Sequence, residues 1–215
     1  MLPKWNQLFK VSSALKLQVE QNTPNNSMHP DLPQPLSLRP MRATERRAIE
    51  QLGVQLFAPF GDYEDALYRW LRSPGIISSV VSHPRDGVVG FALVGLILQP
   101  GQGRQAYLLG VGISPDWQRQ GIGKILVESV LTSAAKKKTR WGVDCVYLDV
   151  AAGNTAALHL FRKLGFTRPN EAPNASAQVQ YATGKSALRM SRPLSRPVPA
   201  AGDDAVSEHT ASERV

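Results

Sequence analysis

Apolar and polar positions along this chain alternate with two different periods, and the order in which the periods change predicts its elements. Leu36-Ser-Leu-Arg-Pro-Met41 alternates like a short edge strand, with Pro40 barring it from the middle of a sheet. Thr44 stands as the N-cap of a helix through Leu56, apolar at Ile49, Leu52 and Leu56. Asp62, with Asp65 three residues on, opens a second helix carrying Leu67, Trp70 and Leu71. Ile76 to His83 and Val88 to Leu98 are strands joined by the turn Pro84-Arg-Asp-Gly87, a hairpin. The glycine-rich segment Gln99 to Gln105 then turns the chain into a strand at Tyr107, and that apolar run stops at Pro115. A helix follows from Gly121, with Ile122, Ile125, Leu126 and Val130 on one stripe and Lys136-Lys137-Lys138 at its end. Val143 to Val150 is a strand, Asn154 starts a helix that Gly165 ends, and strand-like runs recur near Val179 to Tyr181 and Ala187 to Arg192. Strand, two helices, hairpin, strand-helix-strand-helix and closing strands predict an α/β fold with a mixed sheet.

The flanks differ in composition. Residues 1–35 form an N-terminal extension and a linker rich in Asn, Pro, Gln and Ser; residues 36–194 form the domain; residues 195–215 are Pro-, Ala-, Ser- and acid-rich, the composition of a disordered tail. Within the extension Leu2, Trp5, Leu8, Phe9 and Leu15 share a helical face with Lys4, Lys10 and Lys16 among them, which suits either an organelle-targeting or membrane-surface helix or a loosely docked arm. The longest apolar run, Val88 to Leu98, is strand-sized, so no membrane span is expected. A single cysteine excludes an internal disulfide framework and makes a reduced, cytoplasmic setting the default. The net charge of +8 and pI near 9.9 favour an acidic partner: a nucleic acid, a membrane surface or a polyanionic cofactor. The lysines 136–138 fit a solvated helix end better than a nucleic-acid patch, because cations complement the negative end of the helix dipole.

The stretch Tyr107 to Gly123 carries the chemistry. A strand, a tight turn and a helix N-terminus place unpaired N–H groups at the positive end of a dipole, an anion site. The glycines at 121 and 123 would let a phosphate approach the main chain. Gln118 where the nucleotide-triphosphate loop needs glycine, and Ile125 after Gly123-Lys124, exclude that loop. Gly110-x-Gly112 runs into Pro115 and Gly121-x-Gly123 into Leu126, which excludes the dinucleotide fingerprint.

Gln118-Arg119-Gln120-Gly121-Ile122-Gly123, preceded by a strand ending in Ser-Pro-Asp, resembles the pyrophosphate-binding segment of the GCN5-related N-acetyltransferases. Asn154-Thr-Ala-Ala-Leu-His-Leu-Phe-Arg-Lys-Leu-Gly-Phe166 resembles the next segment of that family, in the right order and at the right separation. Leu148-Asp149-Val150 followed by Asn154 is most similar to the branch that acetylates the N-terminal alanine of a ribosomal protein. The resemblance implies a twisted mixed sheet whose two middle strands splay apart for the pantetheine arm of acetyl-coenzyme A. It implies that the backbone of Arg119, Gln120, Gly121, Ile122, Gly123 and Lys124 surrounds the pyrophosphate, with the Arg119 and Lys124 side chains adding charge. It implies that Val111, Gly112 and Ile113 pair with the pantetheine amides, one N–H facing the thioester oxygen, and that Asn154 contacts the cofactor besides capping its helix.

Asp149 falls at the C-terminal end of its strand, on one face with Val143, Cys145 and Tyr147. A carboxylate among apolar neighbours can serve as a general base, a position where the resembled enzymes carry glutamate; a structural carboxylate is the equal alternative. Phe161 stands where many members of the family place the tyrosine that protonates the departing thiolate, so the acid must be water or another hydroxyl such as Tyr68, Tyr107, Tyr147 or Tyr181. Cys145 reads as a small core residue, His83 and His159 as turn and helix-surface residues, and no metal site is expected. The expected activity is acetyl transfer from acetyl-CoA to an amine by direct attack in a ternary complex, a protein N-terminus or a small polyamine-like molecule being the acceptor. Asp62, Glu64 and Asp65 could draw a cationic acceptor or simply open their helix. A non-catalytic acyl-CoA-binding scaffold, motivated by Phe161, and a ribosome- or nucleic-acid-associated protein, motivated by net charge, are the rival readings.

Overall fold

The computed structural model describes residues 31–99, 103–168, 178–180 and 186–194. The helical face expected in residues 1–19, Tyr181 and the tail from 195 lie outside them. Among the described residues a seven-stranded sheet is built from β1 (Ser37–Arg39), β2 (Ile77–His83), β3 (Gly87–Gln99), β4 (Gly103–Ile113), β5 (Cys145–Ala151), β6 (Gln178–Gln180) and β7 (Ser186–Pro193), in the order β1-β2-β3-β4-β5-β7-β6. Every neighbouring pair is antiparallel except β4 with β5, which the helix between them makes parallel.

Two helical layers cover the sheet, as strands buried on both faces require. On one face α1 (Arg46–Phe57) and α2 (Glu64–Arg72) close over a cluster centred on Ile49, Leu71, Val80, Phe91 and Leu93. On the other α3 (Ile122–Trp141) and α4 (Thr155–Lys163) pack with Ala92, Val94, Ala106, Leu108, Val146, Leu148, Val150 and Met190. The alternation Val146, Leu148, Val150 against Cys145, Tyr147, Asp149 divides β5 between the two layers and leaves Asp149 on the α1 and α2 side.

Three local expectations are corrected. Thr44 does not cap α1: it lies inside a 3₁₀ turn, Ala43–Glu45, and the Glu45 carboxylate organises this corner by accepting from the Arg42 N–H (2.8 Å) and pairing with the buried Arg39 (2.5 Å). The lysines 136–138 do not end α3, which runs on to Trp141 because that ring is buried against the core; Gly142, at φ +65°, is the true stop, and Lys138 pairs with Asp144 at 2.8 Å. Leu32, inside the stretch whose composition suggests a linker, is 4% exposed in the larger core cluster.

Candidate active site

The parting of β4 from β5 starts at a bulge. β4 and β5 share register only at Ala106↔Val146 and Tyr107↔Tyr147. Just beyond, β4 carries one residue more than β3, Leu93 facing Gly110 and Val94 facing Leu108, so Leu109 is the extra one. A bulge bends its own strand and disrupts the ladder, here turning β4 away from β5. Gly112 keeps the bent strand against its helical layer: a Cβ there would lie 2.6 Å from the Phe91 ring and 2.9 Å from Leu56. A gap therefore opens between the C-terminal halves of two parallel strands, where open sheets bind ligands.

The polar lining of the gap follows from strand alternation. The Ser114 N–H donates to the Val89 carbonyl at 2.8 Å. Hydrogen-bonded positions alternate in an antiparallel pair, so Gly112, opposite Phe91, also turns its peptide groups toward β3, while Val111 and Ile113 turn theirs into the gap. Of the three residues expected to pair with a ligand strand, Val111 and Ile113 thus turn their peptide groups into the gap and Gly112 does not. The Ile113 carbonyl accepts from the Gln118 side chain at 3.0 Å, which ties the following turn to the strand.

That turn is a cradle of donors. After a 3₁₀ turn over Pro115–Trp117, Arg119 adopts φ +63° and Gly121 φ +80°, and α3 begins at Ile122. The N–H groups of Arg119, Gln120, Gly121, Ile122 and Gly123 have no acceptor among the described residues, whereas the Lys124 N–H returns to the Gly121 carbonyl at 3.0 Å. Lys124 thus leaves the expected set of backbone donors, and its exposed ammonium lies 4.0 Å from Glu128. Gly121 opens onto empty space, as close approach of an anion needs, but a Cβ on Gly123 would meet Ile113 and Leu160 at 3.2 and 3.3 Å. Gly123 accordingly serves the packing of α3 against β4 and α4. The cleft of about 370 Å³ on the β3 side of the turn holds Asp86 and Asp116, which makes it unsuited to a diphosphate.

Asn154 caps α4, its side-chain oxygen accepting the Ala157 N–H at 3.1 Å. Phe161 is buried edge-on against Phe166, centroids 5.7 Å apart, and presents no donor. Cys145 is half-buried on β5 and His159 exposed on α4, while His83, at the end of β2, lies against Trp117 of the 3₁₀ turn, ring centroids 5.0 Å apart. Among the described residues no group of three metal-ligating side chains occurs.

The apolar setting expected for Asp149 is absent. Arg189, its direct cross-strand partner on β7, donates Nε and Nη2 to the two carboxylate oxygens at 2.9 and 3.2 Å. The Asp149 side chain is 6% exposed and that of Arg189 23%. Burial works against the Arg189 charge, but the bond and charge of Asp149 outweigh it and hold the guanidinium above its usual range. The guanidinium lies 5.5 Å over the Tyr107 ring, itself stacked on Tyr147 at 5.8 Å. Tyr68, exposed on α2, carries the Arg72 guanidinium at 3.7 Å over its own ring. Asp62 opens α2 by accepting the Glu64 N–H at 3.1 Å.

Sequence reasoning passed over Tyr63, between α1 and α2. Its ring packs edge-on against Phe57 at 5.5 Å and lies 6.2 Å from Trp70, and its phenol is pushed up to about 12, first by burial and then by the Asp149 charge. The chain order Phe57, Phe60, Tyr63 between two helices is the one signal that could have pointed to it.

Comparison with known proteins adds a family. The acetyltransferase (GNAT) family model matches residues 45–166. The ribosomal protein bS18-alanine N-acetyltransferase of Escherichia coli K12 is 32% identical over 109 residues, 50% of this chain and 66% of that protein. The mycothiol acetyltransferase of Salinispora arenicola is 31% identical over 162 residues, 71% of this chain and 49% of that protein. The chain thus spans just under two thirds of the first relative and half of the second. Among solved structures, Arabidopsis thaliana NAA60 in complex with acetyl-CoA superposes with a TM-score of 0.57 at 18% identity, covering 74% of this chain and 98% of that one. The ribosomal-protein-S18-alanine N-acetyltransferase of Escherichia coli gives 0.55 at 23% identity, covering 80% and 99%. These likenesses establish the fold.

Proposed function

We propose, from the premise that this chain belongs to the acetyltransferase (GNAT) family, that it moves the acetyl group of acetyl-CoA to an amine, with a peptide or protein N-terminus as the acceptor. The observation that carries this reading is the junction of a strand gap with a turn of five unpartnered amides at the start of a 20-residue helix. The amides of residues 119–123 and the helix dipole suit the diphosphate, and the peptide groups of Val111 and Ile113 suit the amides of the pantetheine arm. The Arg119 side chain and the Lys124 ammonium add charge from the exposed side, and Asn154 borders the arm from the start of α4.

In the reaction the amine nitrogen attacks the thioester carbonyl, the C–N bond forms and gives a tetrahedral adduct, the C–S bond then breaks to release the thiolate, and the nitrogen's proton passes to water. A gap-facing N–H of β4 stabilises the oxyanion that develops between these events. Phe161 offers no proton to the departing thiolate, which is basic only to the extent of an ordinary thiol and is protonated by water. The chain's 32% identity to an enzyme that acts on a protein N-terminal alanine favours a protein N-terminus over a small molecule. A cytoplasmic site of action accords with the single cysteine.

Phe161 also motivates a second reading, a non-catalytic acyl-CoA-binding scaffold. The two separate in one assay: acetyl-CoA is mixed with alanine-terminated peptides, a diamine and buffer, and released thiol and acetylated product are measured. The enzyme reading predicts amine-dependent thiol release with matching product mass; tight acetyl-CoA binding without either would contradict it.

A further inference from the structure

The Asp149–Arg189 pair is unexplained by cofactor binding, since it lies across β5 and β7 on the α1 and α2 face, at the end of β5 where the gap is open. Its parts leave little freedom. Both carboxylate oxygens are engaged by one guanidinium, the carboxylate is nearly buried, and the guanidinium is backed by Tyr107 and Tyr147. A planar two-point bond of this kind fixes orientation and occupies both carboxylate oxygens together. Arg189 on β7 binds the carboxylate directly, Tyr63 between α1 and α2 feels its charge, and Tyr107 on β4 and Tyr147 on β5 lie against the guanidinium.

Resting on the acetyl-transfer reading above, we infer that Arg189 is a specificity-determining residue: by occupying both oxygens of Asp149 it withholds a base and an ammonium trap from the α1 and α2 face of the gap, taken as the acceptor side, so the site takes amines that arrive uncharged. The consequence is chemical selection. An α-amine, with pKa about 8, is roughly one-tenth neutral at pH 7, whereas an alkylammonium near 10.4 is neutral to only about 0.04%. An acceptor side that cannot deprotonate its substrate therefore favours peptide N-termini over polyamines and lysine side chains by roughly two orders of magnitude. Arg189 acts through Asp149, and the sensitive readouts are acceptor preference and pH profile rather than activity alone.

The experiment measures kcat/KM between pH 6 and 9 for an alanine-terminated peptide and for 1,4-diaminobutane, using the full chain and the variants R189M, R189K and D149N. For the unaltered protein the expected result is a rise of about tenfold per pH unit up to the peptide's own α-amine pKa, with the peptide preferred about 10²-fold at pH 7. R189M should flatten the profile and cut that preference at least tenfold, because an uncovered carboxylate attracts ammonium and can accept its proton. R189K keeps a cation at the position and should stay within a few-fold of the unaltered protein. D149N should keep the unit slope, and this variant decides the matter if R189M does not fold. Unchanged preference and profile in R189M overturn the inference, and so does a loss of 10²-fold or more in D149N with disappearance of the pH dependence, the mark of a general base. Failure of the unaltered protein to acetylate either amine overturns the acetyl-transfer reading instead.

Discussion

Tyr63 shows how single groups on the α1 and α2 face of the sheet report on one another. Its phenol, at about 12, is held up mainly by burial and secondarily by the Asp149 charge. Replacing Asp149 with Asn removes the second cause only, so the Tyr63 titration should move down while staying above the ordinary phenol range near 10. Ultraviolet titration of tyrosinate, with Y63F as the subtracted reference, checks this; an unmoved curve would separate the two residues. The sign for stability is fixed by the same value. The folded-state pKa lies above the unfolded one, so the contribution of this group is fully present below pH 10 and is lost as pH rises toward 12. Neither Tyr63 nor Arg189 was legible as a site residue. Asp62 and Asp65 marked their neighbourhood as a helix opening, and the Asp149↔Arg189 pairing exists only once β5 and β7 are set in register.

Among the elements, the bulged β4 and the start of α3 do the positioning. A residue other than glycine at 121 must adopt φ +80°, which costs about 1–2 kcal/mol. G121A should therefore weaken acetyl-CoA binding roughly 5- to 30-fold, read by calorimetry, while the apo protein keeps its helical content. Gly112 is constrained by space: G112A drives a Cβ into the Phe91 ring, and denaturant titration should show a loss of about 1–3 kcal/mol. The hairpin, the start of α3 at Gly121 and α4 with its stop at Gly165 were legible because apolar periodicity and turn chemistry agree there, whereas the stop of α3 at Gly142 was not. The bulge at Leu109 was not, since which residue becomes extra depends on the register with β3. The 3₁₀ entry to α1 was hidden likewise, because Glu45 answers to Arg39 on another element rather than to its own helix.

At the scale of the whole molecule, two helical layers clamp a sheet that is continuous except at one seam. Phe91, fully buried where β3, β4 and α1 meet, carries the α1 and α2 layer, and F91A should cost about 3–5 kcal/mol. The order of elements in the sequence sufficed for the mixed α/β architecture, because each crossover and hairpin restricts its neighbours. A ligand seated in the seam should bind the folded state alone, so acetyl-CoA at a hundred times its Kd should add about 2.7 kcal/mol, or roughly 5–10 °C in Tm. In the proposed function the seam and the turn beside it hold coenzyme A through their main-chain groups. Amide NMR shifts on adding coenzyme A to the ¹⁵N-labelled chain test it most directly. The largest changes should fall on residues 119–123, Val111 and Ile113, with Gly112 and Lys124 little moved because their N–H groups are already bonded. Shifts concentrated instead on the cleft of Asp86 and Asp116, or absent from the turn at saturation, would contradict the account.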